Sequence, residues 1–257
     1  MAVSLEELAE DTLAHVLPQP GVDRIDRGDL IFYSTGNSAS VSRVRLGDVD
    51  EAVAWARLQA HAHGARRVEW WVGWHATPGD LASRLVALGL PPDDEEATLT
   101  GMTCDSAPPA SPLEARRIET IDDQLAALAV DSDVWGHDAD ERARRATVER
   151  RRFDPSGPAH HFAVYVDGRP VGFARAVDMD GGVALLGGVV LPAYRGRGVY
   201  RALVRARWDH AVSRGTPLLV VQAGHMSEPV LRGLGFATHG VLHLFMDPGV
   251  GSSHGHD

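Results

Sequence analysis

Along this chain apolar positions recur with helical spacing in some stretches and alternate with polar ones in others, and Gly and Pro punctuate the change. Ser4 and Glu7 form a capping box ahead of Leu5, Leu8, Ala9, Leu13 and Val16, one face of a helix that Pro18 stops. Strand-like runs over 29–35 and 39–46 flank Gly36-Asn37-Ser38, which reads as a hairpin. A helix over 48–63 closes at Gly64, and a strand follows over 67–73. Thr77-Pro78-Gly79-Asp80 opens the next helix with Pro in its first turn, and Leu81, Leu85 and Leu88 lead to Gly89. Residues 95–104 complete this half as a strand.

Three prolines in 106–112 and the lack of any period there predict a linker. The expected organisation is an N-terminal domain over 1–105, the linker, a C-terminal domain over 113–247 and a disordered tail over 248–257. The second half predicts a strand over 115–119, a helix from Thr120 to about Asp131, and a loop Trp135-Gly136-His137-Asp138. A solvated helix follows over 140–152. Asp167-Gly168 is a strong turn signal between strands over 161–166 and 170–177. A strand over 183–191, a helix over 198–214 and a strand over 218–222 come next. Ser227 then opens a short helix, and the last strand covers 241–246. Strand, short helix, Leu-Gly and strand thus occur twice, at 67–104 and 218–246.

The junction after the 183–191 strand carries candidate chemistry. Pro192-Ala193-Tyr194-Arg195-Gly196-Arg197-Gly198 leads from an apolar strand into an amphipathic helix whose first N–H groups lack internal partners. Such an end attracts anions. Gly196 and Gly198 let backbone approach a ligand, and Arg195, Arg197 and Arg201 add positive charge. The corresponding helix in the first half starts Asp48-Val49-Asp50, whose carboxylates would repel a phosphate.

Composition narrows the ligand. A formal net charge of −10 argues against nucleic acid or an anionic membrane as partner. All 25 basic residues are Arg, so a Walker A loop, which needs Lys, is excluded. A dinucleotide fingerprint fails because Arg201 stands where the third glycine belongs and Gln222-Ala223-Gly224 lacks the acidic residue. Cys104 is the sole cysteine, and the acidic N-terminus has no signal-peptide pattern. No apolar run reaches the ~20 residues of a membrane span, so a cytoplasmic location is expected. The histidines show no His-x-x-x-His or Cys/His ligand spacing tied to a helix, and no metal is expected.

The pattern Arg195-x-x-Gly198, between a strand ending Val190-Leu191-Pro192 and an amphipathic helix, resembles motif A of the GNAT superfamily of acyl-CoA-dependent N-acyltransferases. The order of elements over 113–246 is similar to that fold, an α/β (α+β) arrangement with a mixed central sheet flanked by helices. The first half looks like a degenerate copy, giving two tandem GNAT-like halves. The resemblance implies that the backbone of Gly196, Arg197, Gly198, Val199, Tyr200 and Arg201 holds the acetyl-CoA pyrophosphate. It also implies that Gly188, Val189 and Val190 line the pantetheine and thioester, and that the 218–222 strand splays away. The Val190 N–H would meet the oxyanion formed when an amine attacks the thioester in a ternary complex. The chain departs from the family at Tyr200, where Gly or Ala is usual, at Leu231, where a Tyr is common, and at Ala184, where some members carry a glutamate.

Candidates for proton handling are His225, Ser227 and Glu228, which also read as an exposed loop histidine, a helix cap and a first-turn carboxylate. Trp135, His137 and Asp138 are candidates for an acceptor-site lid that takes a cationic amine. The resemblance implies an N-acetyltransferase with an amine acceptor on a small molecule or protein. Loss of the usual Tyr and Glu points instead to a non-catalytic acyl-CoA sensor. Whether the first half covers the acceptor site or forms a homodimer interface stays open.

Overall fold

A computed structural model describes residues 3–94 and 96–248, and of the tail expected over 248–257 all but Pro248 lies outside them. The chain divides into two compact units. Among the described residues the first comprises 3–94, 96–102, 222–230 and 238–248, and the second 103–221 and 231–237. The expected linear halves, 1–105 and 113–247, are therefore distributed differently, because the C-terminal strand packs with the first unit.

The first unit begins with α1 (Leu5–Glu10) and α2 (Thr12–His15). Ser4 Oγ accepts from the Glu7 N–H at 3.1 Å, as the capping box requires. The single helix expected through Val16 is broken at Asp11, whose backbone leaves the helical region (φ −105°, ψ 36°). The break turns the Glu10 and Asp11 carboxylates inward to Arg45, an ion-pair demand that helical spacing does not reveal. Next come β1 (Asp23–Asp26), β2 (Ile31–Ser34), β3 (Ala39–Ser42), α3 (Val49–Ala62), β4 (Val68–Val72), α4 (Leu81–Ala87) and β5 (Thr98–Cys104), which belongs to this unit through Met102. The polar strand β1 carries no apolar alternation and was not foreseen from the pattern. It pairs antiparallel with β2, Ile25 opposite Phe32. Pro78 lies before α4 rather than in its first turn, because Thr77 bridges to Arg45 and its N–H donates to the Val44 carbonyl.

The second unit contains β6 (Ala115–Arg117), α5 (Ile121–Trp135), α6 (Ala139–Arg152), β7 (Ala159–Val166), β8 (Arg169–Met179), β9 (Gly182–Val190), α7 (Val199–Ser213) and β10 (Leu219–Ala223, through Val221). The chain ends with α8 (Glu228–Gly233), divided between the units, and β11 (Ala237–Asp247), which belongs to the first from Thr238 on. The Asp167-Gly168 turn has φ of +51° and +75°, the geometry a two-residue hairpin demands. Helix α5 runs four residues further than expected, to Gly136 in the left-handed region. Trp135 is thus the last helical residue, with its side chain exposed. Asp138 caps α6 by accepting from the Glu141 N–H at 2.8 Å, so two of the three lid candidates have local structural roles.

Each unit contains mixed pairing flanked by helices. In the second, β6 to β9 are antiparallel neighbours and β9 pairs in parallel with β10 across the α7 connection. In the first, β3 pairs in parallel with β4 across α3, the same strand–helix–strand unit. The final strand β11 runs antiparallel to β4, Phe245 opposite Trp70, and Arg57 of α3 grips the buried Asp247 carboxylate with bonds of 2.8 and 3.0 Å. Trp70, Phe32, Val53, Leu81 and Phe245 share one core.

Candidate functional site

Strand β9 is shaped by three glycines and a buried arginine. Ala174 of β8 faces Gly188 while Arg175 faces Leu186, so Gly187 is an extra residue in β9, a bulge with φ +73°. A side chain on Gly172 would collide with Val199 of α7, and a Cβ on Gly188 would stand 3.1 Å from Tyr200 Cε2. Phe173 and Val189, next along each strand, face instead the core that contains Ala127 and Val130 of α5. The period of two therefore places α7 and α5 on opposite faces of the sheet. Tyr200, foreign to the motif, fills space that Gly188 leaves open.

Arg207 of α7 lies beneath the bulge, 1% exposed. Its Nε donates to the Leu203 carbonyl at 3.0 Å, and one terminal nitrogen donates to the carbonyls of Arg175 and Gly187 at 3.3 Å each. The other terminal nitrogen is buried without a hydrogen bond. Burial pushes the guanidinium below its ordinary pKa, and the neighbouring Tyr200 phenol opposes that shift.

The outer half of β9 has an open edge. The Leu191 N–H donates to the Val171 carbonyl, so the preceding Gly172–Val190 pair is the non-hydrogen-bonded kind and the Val190 N–H and C=O face away from β8. On that side β10 registers only Leu219 with Val183 and Val220 with Ala184. Arg195 Nε reaches the Val190 carbonyl at 3.3 Å.

Past β9 a single 3₁₀ turn (Pro192–Tyr194) leads to Gly196 (φ +74°) and Gly198 (φ +85°), where α7 begins. No side chain caps α7 at Gly198, whereas Asp48 Oδ1 closes α3 by accepting from the Glu51 N–H at 3.0 Å. The starts of α3 and α7 thus differ as their sequences predict. Arg197 lies over the Tyr194 ring at 5.4 Å, and Arg195, Gly196, Arg197 and Arg201 are exposed. The proline-rich segment rests on this end of the helix. Ser111 Oγ donates to the Gly198 carbonyl at 3.0 Å and Arg205 donates to the Pro108 carbonyl at 3.3 Å. The structure therefore brings Gly188, Val189 and Val190, and the loop from Arg195 to Arg201, into one continuous strand–loop–helix element.

His225, Ser227 and Glu228 belong to the first unit. Ser227 Oγ donates to the Gly224 carbonyl at 3.1 Å, and the Glu228 N–H donates to the same oxygen at 3.0 Å. Glu96 Oε1 accepts from the His225 N–H at 2.8 Å and lies 3.0 Å from its Nδ1, which leaves Nε2 on an exposed ring. Glu10 holds His75 with both oxygens, Oε1 accepting from the N–H at 2.7 Å and Oε2 lying 2.5 Å from Nδ1. In both places a nearby glycine, Gly224 or Gly73, occupies space where a side chain would strike the carboxylate. The sequence reading missed Glu96 and Glu10; the only signal was a Gly–His or Gly-x-His step after each repeated strand. Cys104 is buried, its thiol donates to the Ser106 carbonyl at 3.1 Å, and burial pushes its pKa up, so it is no nucleophile.

Beside Glu10, burial lifts Asp11 from its ordinary value of 3.8 to about 6, against the opposing pull of Arg45. The folded state holds this proton more tightly than the unfolded chain. The contribution of this group to stability is therefore full below pH 4, is lost as pH rises to about 6, and is flat above. The shift corresponds to about 3 kcal/mol. Asp11→Asn should raise the melting temperature at pH 8 by several degrees and remove most of this slope between pH 4 and 6, as read by thermal melts across pH.

Residues 120–239 match the sequence model of the acetyltransferase (GNAT) family. This segment is a GNAT acetyltransferase domain. It contains the bulged strand, the Arg/Gly loop and α7. The fold of the chain is similar to that of a GCN5-related N-acetyltransferase from Kribbella flavida (18% identity, TM-score 0.68, 97% of each chain covered). It is also similar to one from Sphaerobacter thermophilus (19%, TM-score 0.57, 87% of this chain and 82% of that one). A tandem GNAT protein from the clavulanic acid biosynthesis pathway shares the fold at 16% identity and a TM-score of 0.56, over 96% of this chain and 88% of its own. No curated protein matches the chain significantly in sequence. Proteins of the GNAT family use acetyl-CoA in acyl transfer, and among the described residues no helix is long and apolar enough to cross a membrane.

Proposed function

We propose that the GNAT domain binds acetyl-CoA and passes its acetyl group to an amine by direct attack. The observation that carries this reading is the uncapped start of α7 at Gly198, joined by an Arg-rich loop to a strand with an open, bulged edge. The N–H groups of Gly196, Arg197, Gly198, Val199, Tyr200 and Arg201 receive the pyrophosphate, with Arg195, Arg197 and Arg201 balancing its charge. The pantetheine follows Gly188, Val189 and Val190 along the free edge as an added strand would. The Val190 N–H faces that edge and donates to the oxyanion.

An alkyl amine with a pKa near ~10.4 must lose a proton before it attacks. A basic group or a water chain takes that proton. The leaving thiolate needs no strong acid, since a thiol pKa near ~8.5 makes it a fair leaving group. The setting is the cytoplasm, where Cys104 stays reduced, and the first half is a degenerate GNAT-like copy.

Calorimetric titration with acetyl-CoA tests the cofactor, and one bound equivalent is expected; no binding rejects the reading. A thiol-release screen over amines, aminoglycosides, amino acids and peptides then identifies the acceptor. A second reading, a sensor that binds acyl-CoA without turnover, is favoured by the buried, apolar Leu231 and Ala184 where family members carry acid and base. Tight binding with no thiol release from any amine would establish it.

A further inference from the structure

Among the described residues, one cluster away from the Arg/Gly loop gathers side chains of the kind that hold a transition metal. His160 at the start of β7, Asp178 near the end of β8 and His210 in the last part of α7 each present one ligand atom, and the three atoms lie within 4.8 Å of one another. His210 Nε2 is 2.8 Å from Asp178 Oδ1, and His160 Nε2 is 3.1 Å from Oδ2. The ring centres are 4.1 Å apart with planes inclined by 57°. The group is buried, His160 being 5% and Asp178 9% exposed.

His160 is the informative member. Both ring nitrogens are cut off from solvent and neither makes a hydrogen bond, because Nε2 approaches the carboxylate without the angle a hydrogen bond needs. In exchange for the hydrogen bonds it had in water, this buried imidazole has only the off-axis contact of Nε2 with the Asp178 carboxylate, and Nδ1 has no partner. An ion between the rings would supply the missing partner.

We propose that His160, Asp178 and His210 form a binding site for one divalent transition-metal ion, with zinc the best match. Two imidazole nitrogens and one carboxylate oxygen suit zinc, whereas calcium and magnesium prefer oxygen throughout. Arg214 Nε lies 3.1 Å from Asp178 Oδ2, so this oxygen is held from outside and Oδ1 turns to the metal. The fourth position of the tetrahedron is left to water. His210 stands eleven positions after Val199, about 16 Å along the helix at 1.5 Å per residue. The ion therefore sits at the opposite end of α7 from the loop and ties β7, β8 and α7 together without entering the acyl-transfer chemistry. Residues 160, 178 and 210 have no local spacing, which is why the sequence pattern held no trace of the site.

The test is a zinc titration of the chelator-treated full chain by calorimetry, with metal content measured after desalting. One zinc per chain and a zinc-dependent rise in melting temperature are expected. His160→Gln and His210→Gln should each lower zinc affinity by more than about a hundredfold, beyond the 10–100-fold typical of losing an outer hydrogen-bond partner. The double variant His254→Gln, His256→Gln should bind zinc as the parent does, which separates the site from the C-terminal histidines. Should a ligand variant fail to fold, crystals of the unmodified chain soaked in zinc decide the matter. An anomalous peak about 2.0–2.1 Å from His160 and His210 Nε2 supports the site. Zinc absent after desalting, zinc located elsewhere, or affinity unchanged in folded ligand variants would overturn it and leave a metal-free His–Asp–His network.

Discussion

Gly198→Val is expected to abolish measurable acetyl-CoA binding. Gly198 has φ +85°, a region a β-branched residue almost never occupies, and an added Cβ would stand 3.2 Å from Ser111 Oγ and 3.4 Å from Pro112 Cδ. The backbone must then rotate or the proline-rich segment must move, and either displaces the first N–H groups of α7. Loss of two hydrogen bonds to charged phosphate, at about 1.5–3 kcal/mol each, weakens binding at least about a hundredfold. Strain alone costs about 1–2 kcal/mol, so the protein should remain folded with a modestly lower melting temperature. Gly215→Ala is the control. Gly215 has nearly the same φ, +76°, with open space around it at the far end of α7. It should lose stability and keep its affinity. Parental affinity in Gly198→Val would place the pyrophosphate elsewhere.

Arg57→Ala should strongly destabilise the first unit. Asp247 is fully buried at the end of β11, and Arg57 holds both its carboxylate oxygens. Removing the guanidinium strips those bonds from a charge that cannot reach water, at a cost of about 3–5 kcal/mol. For a chain of this size that is a fall of roughly 10 °C in melting temperature. Pairing the change with Asp247→Asn removes the charge and should restore part of the loss, a coupling that a double-mutant cycle measures. A melt within 2 °C of the parent would mean that β11 is held by its strand pairing and apolar contacts alone.

Much of the local architecture was legible because its causes are local. The Ser4 cap, the Asp167-Gly168 turn, the acidic start of α3 and the open glycine start of α7 all depend on residues a few positions apart. The Arg/Gly loop belongs to this class, and the GNAT resemblance rests on it. The errors arose where distant residues intervened. Arg45 and His75 draw Glu10 and Asp11 inward and break the first helix, and Thr77 joins a bridge instead of starting α4.

The sequence by itself determined most of the element types, the turn chemistry, the strand–helix–strand order and the presence of one arginine-flanked glycine helix start. These follow from φ preferences and periodicity, which act over a few residues. Only the tertiary structure decided that β11 lies against β4, that Glu96 holds His225, that Arg207 sits beneath the Gly187 bulge, and that His160, Asp178 and His210 converge. Such contacts join positions tens to hundreds of residues apart. Their partners are selected by burial and by the need to satisfy polar groups cut off from water, and no short-range pattern records that selection.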